Sequence, residues 1–268
     1  MENQFGKTSR CELVASSDGE KTILSDIAFT APFKIMTPFY EKPDVMHVML
    51  LSASAGIMEG DTQEFQIRAE SGAHMRFSAL AYEKIHKMKE GFARRTAYIL
   101  VKKNANLEYD APPVIPFAQS AYTSSMEAEL EDESSLFTYQ EILSCGRTAY
   151  GECFQYRCYH NLVTVKRKGK LIYRDNCYFE PEKMELEGLG MYEGFHHYGT
   201  LLFFNREVEK QELEEIRQLL DDNLQIEGGV SRITERDLAI RVLGNRAQEL
   251  EEVFDTIKNR IEKTGIVK

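Results

Sequence analysis

The chain has 268 residues, which is close to the upper size for one hydrophobic core, so the default prediction is a single domain over residues 1–268. Apolar residues make up 43% and charged residues 28%, as in ordinary globular proteins, and no run of about 18 apolar residues predicts a membrane span. The formal net charge of -10 argues against a nucleic-acid partner, because phosphate binding needs a basic surface. The first residues, MENQFGKTSRCELV, lack the layout of a secretory signal, and five cysteines is an odd number. We therefore expect a cytoplasmic protein with free thiols.

From about Cys11 to Asn205, short alternating runs are separated by Gly, Pro, Asn and Ser, which is typical of β-strands joined by turns. The segment GDTQEFQIRAESGAHMRFSALAYEKIHKM, residues 60–88, shows this pattern well. Alternate residues from Phe65 to Ala69 are apolar, and after the ESG turn so are alternate residues from Ala73 to Phe77. We predict a hairpin with one buried face, in which His74 lies on the polar face and not in a catalytic cluster.

Two later segments of the β region have their own signatures. DAPPVIPFAQS, residues 110–120, has three prolines within five residues, so it cannot be a central strand and is predicted to be an extended crossing between layers. RTAYGECFQYRCYHNLVTVKRKGKLIYRDNCYF, residues 147–179, reads as two strands joined at KRKGK, whose charges keep the turn in solvent.

After Asn205 the pattern becomes helical. REVEKQELEEIRQLLDDNL, residues 206–224, has one apolar face, with Asn205 as a candidate N-cap and two glycines beyond its end. NRAQELEEVFDTIKNRIEK, residues 245–263, has a cleaner apolar stripe and a capping-box arrangement of Asn245 and Gln248. The residues of that stripe are Leu250, Val253, Phe254, Ile257 and Ile261.

Between the two helices, RDLAIRVLG, residues 236–244, has the alternation of a strand. The overall prediction is a mainly β protein with a large body of layered sheets over residues 1–205. A small α-β-α tail with two helices, residues 206–268, is expected to pack on that body.

The His and Cys spacings do not resemble those of a zinc site. His196 and His197 are adjacent, and Cys153 and Cys158 are an odd number of residues apart, so in a strand each pair diverges to opposite faces. The chain has no Gly-rich phosphate loop, no His-Glu-x-x-His motif and no Gly-x-Ser-x-Gly motif. The EGD sequence ending at Asp61 can supply acids near a turn, or Asp61 can hydrogen-bond its own loop. Both readings stay open.

Several blocks, in order, resemble the UreD (UreH) family of urease accessory proteins. They are APFKIMTPFY, MLLSASAGIMEGD leading into GAHMRFSALAYEKIHKM, LEYDAPPVIPFAQSAY and EILSCGRTAYGECFQY. The resemblance is strongest over residues 28–175. The chain departs from it at Ser78 to Ala81, where many members read Thr-Thr-Gln-Ala, and this weakens any role for a hydroxyl or amide there.

The resemblance implies a role that is not enzymatic. Proteins of this family bind apo-urease and, with UreF and the GTPase UreG, deliver nickel to the buried urease active site. It also implies a helix-like stack of strands, a heteromeric complex with UreF, up to a dimer of heterodimers, and nickel passage through an internal polar tunnel. On this view no cofactor is tightly bound, nickel(II) is transient, and neither nucleic acid nor a membrane is a partner.

A conduit must admit an ion and release it, so scattered oxygen ligands and an occasional imidazole suit it better than a thiolate cage. Within the resembling blocks, Asp61, Glu141, Glu152 and His86 are the candidate polar lining. Each can instead be a hydrogen-bonded structural group. An all-β metal-dependent hydrolase and a protein-interaction domain without metal transit are the alternative functions.

The segment GLGMYEGFHHYG supplies candidates for a partner interface, because its glycines favour a loop or a sheet edge. The candidates are Met191, Tyr192, Phe195 and Tyr198. Ordinary core packing explains these side chains equally well.

Overall fold

A computed structural model describes residue 6, residues 8–42 and residues 44–265. These residues are mainly β, with two α-helices, α1 Lys210–Asp221 and α2 Ala247–Gly265, and a short 3-10 helix, Thr148–Tyr150. The strands, in chain order, are β1 Thr8–Ser17, β2 Thr22–Phe29, β3 Phe33–Ile35, β4 Phe39–Lys42, β5 Val45–Ser52, β6 Thr62–Ala69, β7 His74–Ala79, β8 Glu83–Ile85, β9 Ala93–Val101, β10 Asn106–Asp110, β11 Val114–Pro116, β12 Ala121–Leu130, β13 Leu136–Ser144, β14 Cys158–Arg167, β15 Lys170–Phe179, β16 His197–Phe204, β17 Ile226–Arg232 and β18 Leu238–Gly244.

The strands form two sheets, and the chain alternates between them. The first sheet has the order β15-β14-β12-β9-β6-β1-β2, and the central path of the second is β17-β18-β16-β13-β10-β7-β5-β3. Neighbours from β1 through β6, β9 and β12 to β14 are parallel, as are β5, β7, β10 and β13 in the second sheet. The chain therefore winds as a helix-like stack, which agrees with the mainly β prediction.

In-register parallel pairing places like side chains above one another in the interior. Phe77, Tyr109 and Tyr139 occupy matching positions on β7, β10 and β13. Their rings stack with centroid separations of 5.3 Å and 6.1 Å and interplanar angles of 4° and 7°. This aromatic ladder belongs to the apolar core between the two sheets.

The predicted hairpin over residues 60–88 is wrong in its pairing and right in its faces. β6 and β7 lie in different sheets, where β6 pairs with β1 and β9, and β7 pairs with β5 and β10. Phe65 and Phe77 are buried as predicted. Alternation alone cannot separate a hairpin from a corner of a stacked β-helix, because both give each strand one buried face.

The other β predictions hold more closely. β14 and β15 form the antiparallel hairpin, and its turn residues Lys168 and Gly169 have φ of 51° and 72°, as a tight hairpin turn requires. Within residues 110–120 the chain is extended and forms β11, which pairs with β8 and β13 beside the main path of the second sheet.

Both helices cover the outer face of the second sheet. The predicted stripe of α2 is buried against Leu201, Ile240 and Val242. Lys258 of α2 also reaches the buried Asp110, with 2.5 Å between Nζ and Oδ1. The apolar contacts and the buried ion pair therefore both hold α2 against the second sheet.

The tail differs from the predicted α-β-α order. It contains a second strand, β17, where glycines had been predicted only to follow the first helix. α1 begins at Lys210, four residues later than predicted, because Glu209 and Glu212 form the capping box. Asn205 has φ of 62° and donates instead to the carbonyl oxygens of Asp132 and Ser135. α2 begins within two residues of its predicted start.

A polar interior as the candidate functional site

Three buried polar side chains lie together where β6, β8 and β9 approach each other. Gln63 is 5% exposed, Glu83 9% and Arg95 5%. Arg95 forms an ion pair with Glu83 and donates from Nε to Oε1 of Gln63 at 2.9 Å. The Gln63 amide nitrogen donates to Glu83 Oε1 at 3.0 Å, which closes the triad. A buried charge pair needs such extra hydrogen bonds to offset its loss of hydration.

A second polar group connects the two sheets further along the interior. Glu141 of β13 accepts hydrogen bonds from the Tyr139 hydroxyl at 2.6 Å and from the side-chain amide of Asn161, which lies on β14 of the opposite sheet. Burial raises the pKa of Glu141 to about 7, against the lowering effect of the Tyr139 hydrogen bond. The Glu141 carboxyl group therefore keeps its proton to a higher pH than an ordinary glutamate does.

A small cavity joins the two groups. Arg95 of the triad and Glu141 both line it, together with the tyrosines Tyr109, Tyr122, Tyr139 and Tyr159. Its volume of about 20 Å³ is enough for one water-sized species. The buried hydroxyl of Tyr122 and the side chain of Ser124 add polar groups to its lining.

Two surface clefts reach the same triad from outside. One has a volume of about 720 Å³ and is lined by Asp61 and Gln63, among others. The other, of about 340 Å³, is lined by Glu83 and Lys84. Gly56 borders both clefts. The triad of Gln63, Glu83 and Arg95 thus contributes a residue to each cleft and to the inner cavity.

Asp61 lies in the larger cleft, but its carboxylate is engaged in the turn before β6. Oδ2 accepts from the N–H of Met58 at 2.7 Å, and Oδ1 accepts from the N–H of Gly6 at 3.1 Å. The preceding Gly60 has φ of 83°, which favours glycine. Asp61 is therefore both a cleft residue and a structural turn residue.

His86 contacts Phe117, and Glu152 accepts a hydrogen bond from the N–H of the next residue, Ala118; neither lines the inner cavity. His86 Nε2 lies 3.0 Å from the carbonyl oxygen of Ala55, and its ring centroid is 4.8 Å from that of Phe117. Glu152 is paired with Arg147, and this hydrogen-bonded ion pair lowers the pKa of Glu152. Asp61, Glu141, Glu152 and His86 are thus spread over three places and do not form one cluster.

Among the residues at 6, 8–42 and 44–265, no three His, Cys, Asp or Glu side chains converge as ligands for a metal ion. A transient path made of separate oxygen groups is a different arrangement and does not require such a cluster.

The candidate interface segment contributes to the core. Tyr192 is 2% exposed, and its ring contacts Phe154 at 4.8 Å and Phe179 at 5.9 Å between centroids. Met191 and Tyr198 are partly buried against the same cluster. For Tyr192 the structure favours the core reading, whereas a partner role for Met191, Phe195 and Tyr198 stays a prediction.

Tyr192→Asp should unfold the protein or lower its free energy of unfolding by at least about 3 kcal/mol, because it replaces a buried ring by a carboxylate. Tyr192→Phe is the matched control and should cost little, since the Tyr192 hydroxyl has no partner among the described residues. Soluble yield and urea unfolding measure both effects. A stable Tyr192→Asp protein that has lost only partner binding would instead assign Tyr192 to an interface.

The triad was not among the residues singled out from the sequence, although a signal for it exists. Gln63 continues the buried alternation of Phe65, Ile67 and Ala69, so its side chain points inward with theirs. Arg95 likewise occupies a buried position in the alternation of β9. A polar residue at a buried position of an alternating strand was the missed signal.

These features define a layered β scaffold with buried polar groups between its sheets and clefts leading to them. The model of the UreD urease accessory protein family matches residues 7–266. A urease accessory protein UreD of Acetivibrio thermocellus is 38% identical over 260 residues, which cover 97% of this chain and 99% of that protein. UreH of Helicobacter pylori strain HPAG1 is 32% identical over 98% of each chain. UreD of Flavobacterium johnsoniae is 30% identical over 94% of this chain and 92% of its own.

The chain belongs to the UreD family of urease accessory proteins, as the sequence blocks indicated. Its role is therefore in urease maturation. In the described part of the chain, neither helix is long and apolar enough to cross a membrane.

Proposed function

We propose that this chain binds apo-urease and, with UreF and the GTPase UreG, passes nickel(II) through its polar interior to the urease active site, without catalysing a reaction of its own. The proposal includes a cytoplasmic location and a heteromeric complex with UreF, up to a dimer of heterodimers. The observation that carries it is the succession of polar groups from the surface clefts through the buried triad to the half-buried Glu141.

The chemistry of these groups suits passage of a hard or borderline divalent ion. Carboxylate, amide, hydroxyl and water oxygens exchange ligands more readily than a closed set of thiolates. Glu83 lines the smaller cleft and pairs with Arg95, and Arg95 and Glu141 both line the inner cavity. An ion entering from a cleft would reach Glu83 before Glu141.

Arg95 sets a condition on this passage. Its positively charged guanidinium repels a divalent cation, while it holds the Glu83 carboxylate that would attract the ion. In the conformation described here the triad therefore disfavours cation entry. Passage requires Glu83 to exchange Arg95 for the ion.

Reconstitution tests the proposal. Purified chain, UreF, UreG and apo-urease are combined with nickel, bicarbonate and GTP, and urease activity is followed after removal of free nickel. We expect co-purification of the chain with UreF and apo-urease, and activation that depends on adding the chain. If the chain binds its partners but urease is activated equally well when the chain is omitted, the chain is a scaffold without metal transit and the nickel path is contradicted.

A further inference from the structure

Two cysteines hold their sulfur atoms in contact at the neck of an exposed loop. The Sγ atoms of Cys145 and Cys153 are 3.0 Å apart. The backbone closes the same loop, because the N–H of Phe154 donates to the carbonyl oxygen of Cys145 at 2.8 Å. At Gly146 a Cβ atom would lie 2.6 Å from the carbonyl oxygen of Glu152, so the two ends of the loop pass unusually close. The fold thus brings the two thiols together.

The two thiols differ in access. Cys145 is fully buried, and burial raises its pKa, whereas Cys153 is partly exposed. Cys153 is therefore the thiol that a soluble reagent meets, and Cys145 can displace the reagent because its Sγ is already in contact with that of Cys153. Across the described residues, which include all five cysteines, no other two sulfur atoms are in hydrogen-bonding contact.

We propose that Cys145 and Cys153 are a thiol–disulfide exchange site that forms a reversible intramolecular disulfide with low-molecular-weight disulfides of the glutathione type. In the first step the Cys153 thiolate attacks one sulfur of the disulfide, and one glutathione leaves as a thiol after taking up the proton lost by Cys153. In the second step Cys145 Sγ attacks Cys153 Sγ, and the second glutathione leaves with the proton of Cys145. Two protein thiols are oxidised, and one glutathione disulfide is reduced to two thiols.

Closing the bond needs only a small movement. The sulfur separation has to fall from 3.0 Å to the bonded length of about 2.05 Å. The loop between the two cysteines carries the Arg147–Glu152 ion pair and Tyr150, which is 78% exposed. Oxidation would therefore tie the neck of an exposed loop and reduce its freedom to rearrange.

The test uses the native full chain incubated with reduced or oxidised glutathione, then denatured and labelled with a maleimide. We expect five labelled thiols in the reduced sample and three after oxidation. Trypsin cleaves after Arg147 and Arg157, so Cys145 and Cys153 fall in separate peptides. Mass spectrometry should find these two peptides joined, and dithiothreitol should separate them.

Single variants check the order of steps. Cys145→Ser should retain a glutathione adduct on Cys153, whereas Cys153→Ser should leave Cys145 unmodified. Cys158→Ser is the matched control, and it should still lose two thiols on oxidation. The proposal is overturned if wild type keeps all its thiols, if it accumulates a stable adduct on Cys153, or if a different pair of peptides is joined.

Discussion

Glu141→Gln should stabilise the protein above pH 7 and slow nickel-dependent activation of urease. Burial raises the pKa of Glu141 from 4.5 to about 7, so the folded state holds a proton that the unfolded state has released between these values. Stability therefore falls as pH rises through this window and stays lower above it. The shift corresponds to at most about 3.5 kcal/mol, and because the Glu141 side chain is only half-buried we expect about 2 kcal/mol.

Glutamine removes this titration with little change in shape. Both donors, Tyr139 and Asn161, bond the same carboxylate oxygen, which the Gln amide oxygen can replace. The gain in the free energy of unfolding should appear at pH 8 and vanish near pH 4.5. Urea unfolding at the two pH values measures it.

The matched control is Glu127→Gln, since Glu127 forms an ion pair with Lys166 and is 46% exposed in its side chain. We expect this control to change stability by less than about 1 kcal/mol and to activate urease normally. If Glu141→Gln raises stability and yet slows activation, Glu141 is a functional group, because replacing a merely structural carboxylate would not lower activity while it raises stability. Full activation by Glu141→Gln would remove Glu141 from the nickel path.

Alternation in the sequence predicted which face of a strand or helix is buried better than it predicted which strands pair. Phe65, Phe77 and the α2 stripe are buried as predicted, since periods of 2 and 3.6 residues report directly which side of an element is covered. Strand pairing depends on the connection between strands, and the ESG turn fits both a hairpin and a corner between sheets. β17 was missed because its glycines resemble a helix end, whereas tertiary pairing with β18 makes it a strand.

The candidate site could not be predicted in full from the sequence, because its contacts join residues that are far apart along the chain. Glu141 was selected from its sequence block, but its partner Asn161 lies on the opposite sheet, 20 residues away. Asp61 was equally ambiguous from the sequence, because one of its two N–H donors is the distant Gly6 and the other is Met58. The triad needed three separate strands to assemble, so no local motif could indicate it.

Removing one of the two charges of the triad should lower the free energy of unfolding more than breaking an exposed ion pair does. Arg95→Met leaves the Glu83 carboxylate buried without its cation, which typically costs about 3–5 kcal/mol. Glu83→Gln leaves Arg95 uncompensated and should cost a similar amount. Lys166→Met, which breaks the exposed pair with Glu127, is the control and should cost less than about 1 kcal/mol.

The double variant Glu83→Gln/Arg95→Met decides between a coupled pair and two independent core residues. If each charge is costly only without the other, the double variant should be at least about 2 kcal/mol more stable than the sum of the single changes predicts. Urea unfolding of the four proteins gives this coupling free energy, and a value near zero would show that Glu83 and Arg95 do not depend on each other.

The double variant also lacks both the repelling guanidinium and the attracting carboxylate. If nickel contacts Glu83 on its way to the inner cavity, the double variant should still bind its partners but should activate urease more slowly than wild type. The reason is that the uncharged amide of glutamine holds a divalent ion less well than a carboxylate.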